Sequence, residues 1–351
     1  MKSRFEIPDF LQVNKFPSLD GIRAICITLV VFSHVCNAYQ FADGTRKIIT
    51  STGILGVQIF FVISGFLITT LLLKEKVNTG NISLRFFYLR RVLRIFPVVF
   101  LYLACLLLLN IIFHLHIPVK SFIGAALFLA NLSYFQSSWY TLHYWSLSIE
   151  EQYYLVFPFM LKKCINYIHL LLVIFICFII FLRALAYSGH FPNWPFLQYI
   201  GFLIYQSDGV LMGSLIAILC FKNHIPFAFL QKYCVYLNFL LPVLICVFHF
   251  GVIGFDAVNP AITSLFIAVL LLCNTRQHNN PLYRFLNNRH IMFIGKLSFS
   301  IYIWQQLFTS TDGKFGKLTH LPLNLLLIFL AAWCSYTFFE KKFLKMKSRY
   351  S

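Results

Sequence analysis

Acidic residues are scarce: 11 Asp and Glu stand against 29 Lys and Arg in 351 residues, and charged residues of both signs reach only 11%. A soluble domain needs about a quarter of its residues charged to coat its surface, so the shortage excludes a chain that faces mainly water. The net charge of +18 raises nucleic acid as a partner, but nucleic-acid binders gather their basic residues on one folded face. Here Lys and Arg sit in short stretches between apolar runs, which is a topology pattern. No nucleic acid is expected. CxxC pairs and His/Cys ligand spacings are lacking too, so no metal site is expected. The ten Cys are scattered, and Cys26, Cys105, Cys177 and Cys246 fall inside apolar runs, where they read as small apolar residues. Met1–Leu19 is polar and carries Pro8 and Pro17, unlike a signal peptide. The first apolar run is therefore expected to be an uncleaved crossing.

What fills the chain instead is apolar: 59% hydrophobic residues, 41 Phe and a mean hydropathy of +0.76. Stretches able to cross a ~30 Å hydrocarbon core run Ile22–Tyr39, Ile54–Leu73, Ile95–Phe113, Leu147–Leu161, Ile168–Tyr187, Gly201–Phe221, Val235–Ile253, Pro260–Asn274, Gly295–Thr311 and Leu321–Phe339. An all-α polytopic membrane bundle of about ten transmembrane helices is predicted. It forms a single domain over residues 1–351, with no internal repeat. A further stretch, Phe122–Phe135, is short and holds Asn131 and Ser133. The positive-inside rule decides its place. Treated as a re-entrant or half-spanning segment, it leaves only Arg46, Lys47, Lys120, Lys314 and Lys317 outside, with Arg23 and Arg183 within helices. Counted as an eleventh crossing, it would carry Lys162, Lys163, Lys222 and the C-terminal basic cluster outside. Both termini are thus expected in the cytoplasm.

Four constellations stand out. The first crossing opens Leu19-Asp20-Gly21-Ile22-Arg23, with Asp20 expected as an N-cap. Arg23 and His34 are eleven residues apart, which returns to within about 20° of one helix face, ~16 Å along the axis. His34 then sits past the midplane and Arg23 at the cytoplasmic mouth. Intramembrane ionisable groups are costly and point to function; packing against a neighbouring helix is the other reading. Next, Arg90, Arg91 and Arg94 share one face of an amphipathic stretch at the cytoplasmic interface. They fit either contact with anionic lipid or a phosphate clamp, since guanidinium forks match phosphate oxygens.

On the outer side, His143, Trp145, Glu150 and Glu151 crowd the start of a crossing in an acid-poor protein. The helix dipole accounts for one Glu, and a carboxylate near an imidazole makes a general-base pair. Last, Asp208 lies inside the sixth crossing and Arg183 near the outer end of the fifth. They are expected to form a structural ion pair, because a lone buried charge is expensive. The Gly209/Gly213 spacing predicts close helix packing beside them.

Taken together, these stretches resemble the membrane acyltransferase-3 family, whose members O-acylate cell-envelope carbohydrates. The matching segments are LDGIRA with Arg23-x10-His34, GVQIFFVISGFLI (Gly56–Ile68), RFFYLRRVLRIFP (Arg85–Pro97), WSLSIEEQYYLVFP (Trp145–Pro158) and GKLSFSIYIWQQ (Gly295–Gln306), in the family's order over nearly the whole chain. The resemblance implies that Arg23 and His34 are essential, with His34 as the catalytic residue and Glu150 as a further candidate. It places the donor on Arg90, Arg91 and Arg94, and puts Trp145, His143 and Glu151 on the acceptor side. It also implies an inner-membrane location. Two departures matter: Gln305 stands where many members have His, and Gln206 where many have Arg. The soluble hydrolase-like domain that some members append is not expected.

The function expected on these grounds is transfer of an acyl group, acetyl above all, from cytoplasmic acyl-CoA to a hydroxyl of a cell-envelope glycan. Acyl-CoA, a carbohydrate or lipid-linked glycan and the bilayer are the partners, and no cofactor is held permanently. His34 acts either as general base or as a transient acyl carrier. The rival is a transporter or flippase for a lipid-linked sugar, with His34, Asp208 and Arg183 lining its path. It lacks the inverted repeat that many secondary transporters show.

Overall fold

The computed structural model describes residues 5–13, 16–36, 39, 42–135, 138–188, 206–276 and 281–347. Residues 37–38 of the first expected crossing and 201–205 of the sixth lie outside these. Among the described residues every regular element is helical. In chain order the helices are α1 (Leu19–Cys36), α2 (Asp43–Thr79), α3 (Leu84–Ile112), α4 (Val119–Ala126), α5 (Trp139–Leu142), α6 (Tyr144–Lys163) and α7 (Ile168–Tyr187). They continue with α8 (Asp208–Phe221), α9 (Phe227–His249), α10 (Asn259–Cys273), α11 (Pro281–Leu286), α12 (Arg289–Trp304), α13 (Leu323–Cys334) and α14 (Lys341–Lys347). A 3-10 segment, Gln305–Thr309, extends α12, and a π-helical segment, Ser335–Glu340, joins α13 to α14.

Six of these helical stretches are long and apolar enough to cross a membrane: α1, α2, α3, α7, α9 and the continuous stretch Leu323–Lys347. α8 and α10 are apolar but shorter. Leu107, Leu108, Ile111 and Ile112 of α3, Phe175, Phe178 and Phe181 of α7, and Phe239 and Val243 of α9 are all exposed. Water does not tolerate such continuous apolar surface, whereas lipid does. The chain is a multi-pass helical membrane protein. Cys177, Cys246 and Cys334 share this exposure while Cys26 is buried, and all ten Cys are free.

Phe122–Phe135 is broken. α4 ends at Ala126 and a 3-10 turn, Ser133–Phe135, follows after an irregular stretch. Eight helical residues rise only about 12 Å. Polar partners hold the irregular backbone: Ala130 N–H donates to Ser148 Oγ (3.1 Å), and Gln152 Nε2 donates to Phe128 O and to Asn131 Oδ1 (both 2.9 Å).

The described chain divides into two compact units. The first comprises Met1–Cys26, Leu55–Ile82 and Tyr153–Gly295; the second comprises Ile27–Ile54, Ser83–Gln152 and Lys296–Ser351. Glycines set the packing of the first. A Cβ on Gly213 would lie 2.2 Å from Val62 O, and one on Gly65 would lie 2.0 Å from Val210 O, so α2 and α8 meet backbone to backbone. The expected role of the Gly209/Gly213 spacing is visible in this contact. Likewise a Cβ on Gly295 would lie 1.7 Å from Asp20 O, which brings α12 against the start of α1. Asn287 clasps that start, accepting from Ser18 N–H (3.1 Å) and donating to Ser18 Oγ (2.9 Å).

The second unit is built on α3. Ile95, Val98, Val99, Tyr102 and Leu106 recur at helical spacing and pack with Tyr144, Leu147, Ile303, Trp304 and Leu307 in one buried cluster. Gly213→Ala is expected to remove most folded protein from detergent extracts, because neither helix backbone can yield. Gly254→Ala, where a Cβ meets nothing within 4 Å, should leave the yield unchanged. Size-exclusion profiles of the two variants check this.

Candidate active site

Most of the residues singled out by the sequence lie in the second unit. His34, near the end of α1, is half-buried. Its Nδ1 faces Gln305 Oε1 at 3.1 Å, and the Trp139 ring packs against it edge to face with ring centres 5.6 Å apart. A carboxamide oxygen only accepts, so Nδ1 carries the proton and Nε2 keeps its lone pair. Trp139 is fixed by donating from Nε1 to Gln306 O (3.1 Å). The short helix α5 that presents it is tied down beside it. Tyr140 donates to Asp312 Oδ2 (2.5 Å) and shares a hydrogen bond with Ser310 Oγ (3.1 Å), while Tyr102 donates to Tyr140 O (2.7 Å). Burial opposes ionisation of Asp312, but the Tyr140 hydroxyl, with lesser help from Lys314 and Ser310, holds its carboxyl below the usual range.

His143 is 2% exposed and stands among Tyr102, Tyr144 and Tyr302, with neither ring nitrogen hydrogen-bonded. Burial without a counter-charge keeps such an imidazole neutral. Its backbone carbonyl accepts from Tyr302 OH (2.9 Å) and Ser146 Oγ (3.2 Å). Gln305 Nε2, both side-chain polar atoms of Gln306 and Trp304 Nε1 are also buried without a partner. Buried polar atoms are rarely left so. These groups belong to the unit that holds His34, and Gln305 is in contact with it.

The Arg cluster belongs to the first turns of α3, in one helix with the crossing. Arg91 Nη2 contacts Glu151 Oε1 at 2.5 Å, and both side chains are 13% exposed. A guanidinium expected on the donor side and a carboxylate expected on the acceptor side are therefore partners of one another. Glu151 lies seven residues into α6, about 10 Å from its start, deep enough to meet α3. Arg94 lies within electrostatic range of Glu340. That carboxylate is buried in the π-helical segment and accepts from Ser300 Oγ (2.6 Å) and Ser335 Oγ (2.9 Å). Arg90, Trp145 and Glu150 are partly buried, and Glu150 lies within electrostatic range of Tyr302.

In the first unit Arg23 pairs with Asp20 at 3.5 Å. Asp20 is thus one residue inside α1 rather than its cap; the first turn closes on Ser18, whose carbonyl accepts from Ile22 N–H (2.8 Å). Arg183 and Asp208 also meet: Arg183 Nη2 donates to Asp208 Oδ2, and Nη1 donates to Ala257 O at 2.8 Å. Both are essentially unexposed. Gln58, in the second motif, donates to Pro260 O (2.7 Å) and Ser264 Oγ (2.9 Å) and accepts from His249 (3.2 Å). No cluster of three or more His, Cys, Asp or Glu able to hold a metal occurs among the described residues.

Sequence reasoning passed over Gln305 as a partner of His34. The signal was present, a polar pair closing an aromatic helix at Trp304-Gln305-Gln306, but nothing in one dimension tied it to residue 34.

The helices and their exposed apolar faces define the class, that of multi-pass helical membrane proteins. The family follows from comparison. The model described as "Acyltransferase domain" matches residues 16–339, and the chain belongs to this membrane acyltransferase-3 family. It is 31% identical to "Putative O-acetyltransferase SACOL0978" of Staphylococcus aureus (strain COL), over 96% of this chain and 58% of that protein. It is 29% identical to "O-acetyltransferase OatA" of Staphylococcus aureus (strain NCTC 8325 / PS 47), over 95% of this chain and 58% of that one. The chain thus spans less than two thirds of the length of these relatives. No solved structure matches it.

If Arg91 and Glu151 serve each other, removing one strands a largely buried charge, a loss of about 3–5 kcal/mol. Arg91→Met and Glu151→Leu are each expected to lower the thermal midpoint in detergent. The double variant should regain most of it, as read by thermal-shift and size-exclusion stability.

Proposed function

We propose that this chain is a membrane O-acetyltransferase that moves an acetyl group from cytoplasmic acetyl-CoA to a hydroxyl of a cell-envelope glycan. The observation that carries the proposal is His34, held by Gln305 through Nδ1 with Nε2 left to accept a proton. Acetyltransferases named among its relatives support the choice of acyl group.

In this reading the donor phosphates rest on Arg90 and Arg94. Each charge-assisted hydrogen bond is worth about 1.5–3 kcal/mol. Arg91, engaged by Glu151, shapes the clamp rather than supplying a phosphate contact. The thioester arm reaches inward to His34. The acceptor comes from the outer side past Trp145, whose ring face suits the apolar C–H surface of a sugar, and past Glu150 and His143. His34 Nε2 removes the hydroxyl proton as acyl transfer proceeds. Asp208 and Arg183, paired and buried, hold the fold rather than line a transport path.

The proposed arrangement has ten crossings in the plasma membrane, with Phe122–Phe135 re-entrant and both termini in the cytoplasm. Reporter tags after Lys347 and within Lys76–Ser83 should read cytoplasmic, and one within Asp312–Lys317 external. An external C-terminal tag would mean an odd number of crossings.

For the reaction, loss of the gene should lower base-labile acetate on envelope glycans, and the parental chain should restore it. His34→Ala and His34→Gln are both expected to fail to restore it while keeping normal amounts of folded protein. Gln keeps a hydrogen bond but cannot take and return a proton at neutral pH. A folded, active Gln variant would take His34 out of the chemistry, and acetyl-CoA cleavage equal to background would favour the transport reading.

A further inference from the structure

Gln305 stands where α12 gives way to the 3-10 segment, and its side chain is fully buried. The two ends of its carboxamide differ in fate. Oε1 faces His34 Nδ1, whereas Nε2 has no partner. An N–H group buried without an acceptor is costly, and that cost is recovered when an oxygen arrives beside it. On one side chain, therefore, the atom that orients the imidazole and a donor awaiting an acceptor are about 2.3 Å apart, the span of a carboxamide. Trp139, packed on the imidazole and anchored to Gln306 O, restrains His34 from a second direction.

We propose that Gln305 performs two tasks: Oε1 positions His34, and Nε2 donates to the acyl oxygen of the donor as negative charge grows on it. This rests on the reading of His34 as the base. The acceptor hydroxyl gives its proton to His34 Nε2 as its oxygen bonds to the thioester carbonyl carbon. The carbonyl π pair moves to oxygen, where Gln305 Nε2–H donates to it. Collapse restores the C=O and breaks the C–S bond, and the departing thiolate takes the proton from His34. Acetyl-CoA and an alcohol become CoA thiol and an acetate ester. A donor aimed where charge develops is worth on the order of 10²–10³ in rate.

The test measures base-labile acetate formed from radiolabelled acetyl-CoA in isolated membranes that carry the endogenous acceptor, with folded enzyme counted by size exclusion. Gln305→Met, close in volume, loses both atoms; Gln305→Glu, assayed above neutral pH so that it is ionised, keeps an acceptor for His34 and puts a carboxylate oxygen, which repels a growing negative charge, where the N–H donor stood. Both are expected to lower kcat per folded molecule by about 10²-fold or more, with KM for acetyl-CoA within about threefold of the parent. His34→Gln, run in parallel, should be inactive.

A parental kcat in Gln305→Glu overturns the donor role and with it the proposal. So does a side chain needed only for folding, which would lower the folded amount and leave kcat per folded molecule unchanged. In either case an inactive His34→Gln leaves the base assignment standing. An active His34→Gln overturns that assignment whatever Gln305 does.

Discussion

Hydrocarbon offers no hydrogen bonds, so a polar side chain carried among apolar helices keeps its place only where another polar group meets it. Most of the side-chain geometry in this protein answers to that constraint. In the first unit Arg183 is matched by Asp208 and the Ala257 carbonyl, and Gln58 by Pro260, Ser264 and His249. In the second, Arg91 is matched by Glu151, Asn131 by Gln152, and Glu340 by Ser300 and Ser335. The irregular backbone after α4 survives because it borrows partners from α6 in the same way.

Against that background the exceptions carry meaning. His34 is held through Nδ1 by Gln305 Oε1, and Gln305, Gln306, Trp304 and His143 all keep buried polar atoms without partners. In the proposed reaction a substrate supplies what the groups around His34 lack. The same contrast separates scaffold from chemistry. Paired charges resist movement, and a base needs a nitrogen with a free lone pair.

The helices themselves were largely legible beforehand, because hydropathy over some twenty residues reports the solvent directly. α6, α7 and α10 lie close to the apolar stretches Leu147–Leu161, Ile168–Tyr187 and Pro260–Asn274. Boundaries were less so: α2 runs from Asp43 to Thr79, far beyond the apolar Ile54–Leu73. Helix continues through polar sequence as long as its backbone bonds are kept. Hydropathy measures only where lipid would accept the side chains. Glycine spacing in α8 likewise announced a close contact but not with which helix, and the structure names α2 as the partner.

The sequence by itself determined that the chain belongs in a bilayer, which residues are too costly to be there by accident, and that Arg183 and Asp208 needed partners. These follow from transfer free energies, which each residue carries with it. Beyond the Arg183–Asp208 pair it could not determine who meets whom across helices, because contact partners depend on how the helices rotate and pack. Glu151 and Arg91 were assigned to opposite faces until α3 and α6 put them together. Asp20 read as a cap until it turned to Arg23. Gln305 was a departure from a family pattern until the fold set its carboxamide, across 271 positions of chain, against the one imidazole on α1. The chemistry of each side chain is local. Its use is decided only by the neighbour that packing delivers.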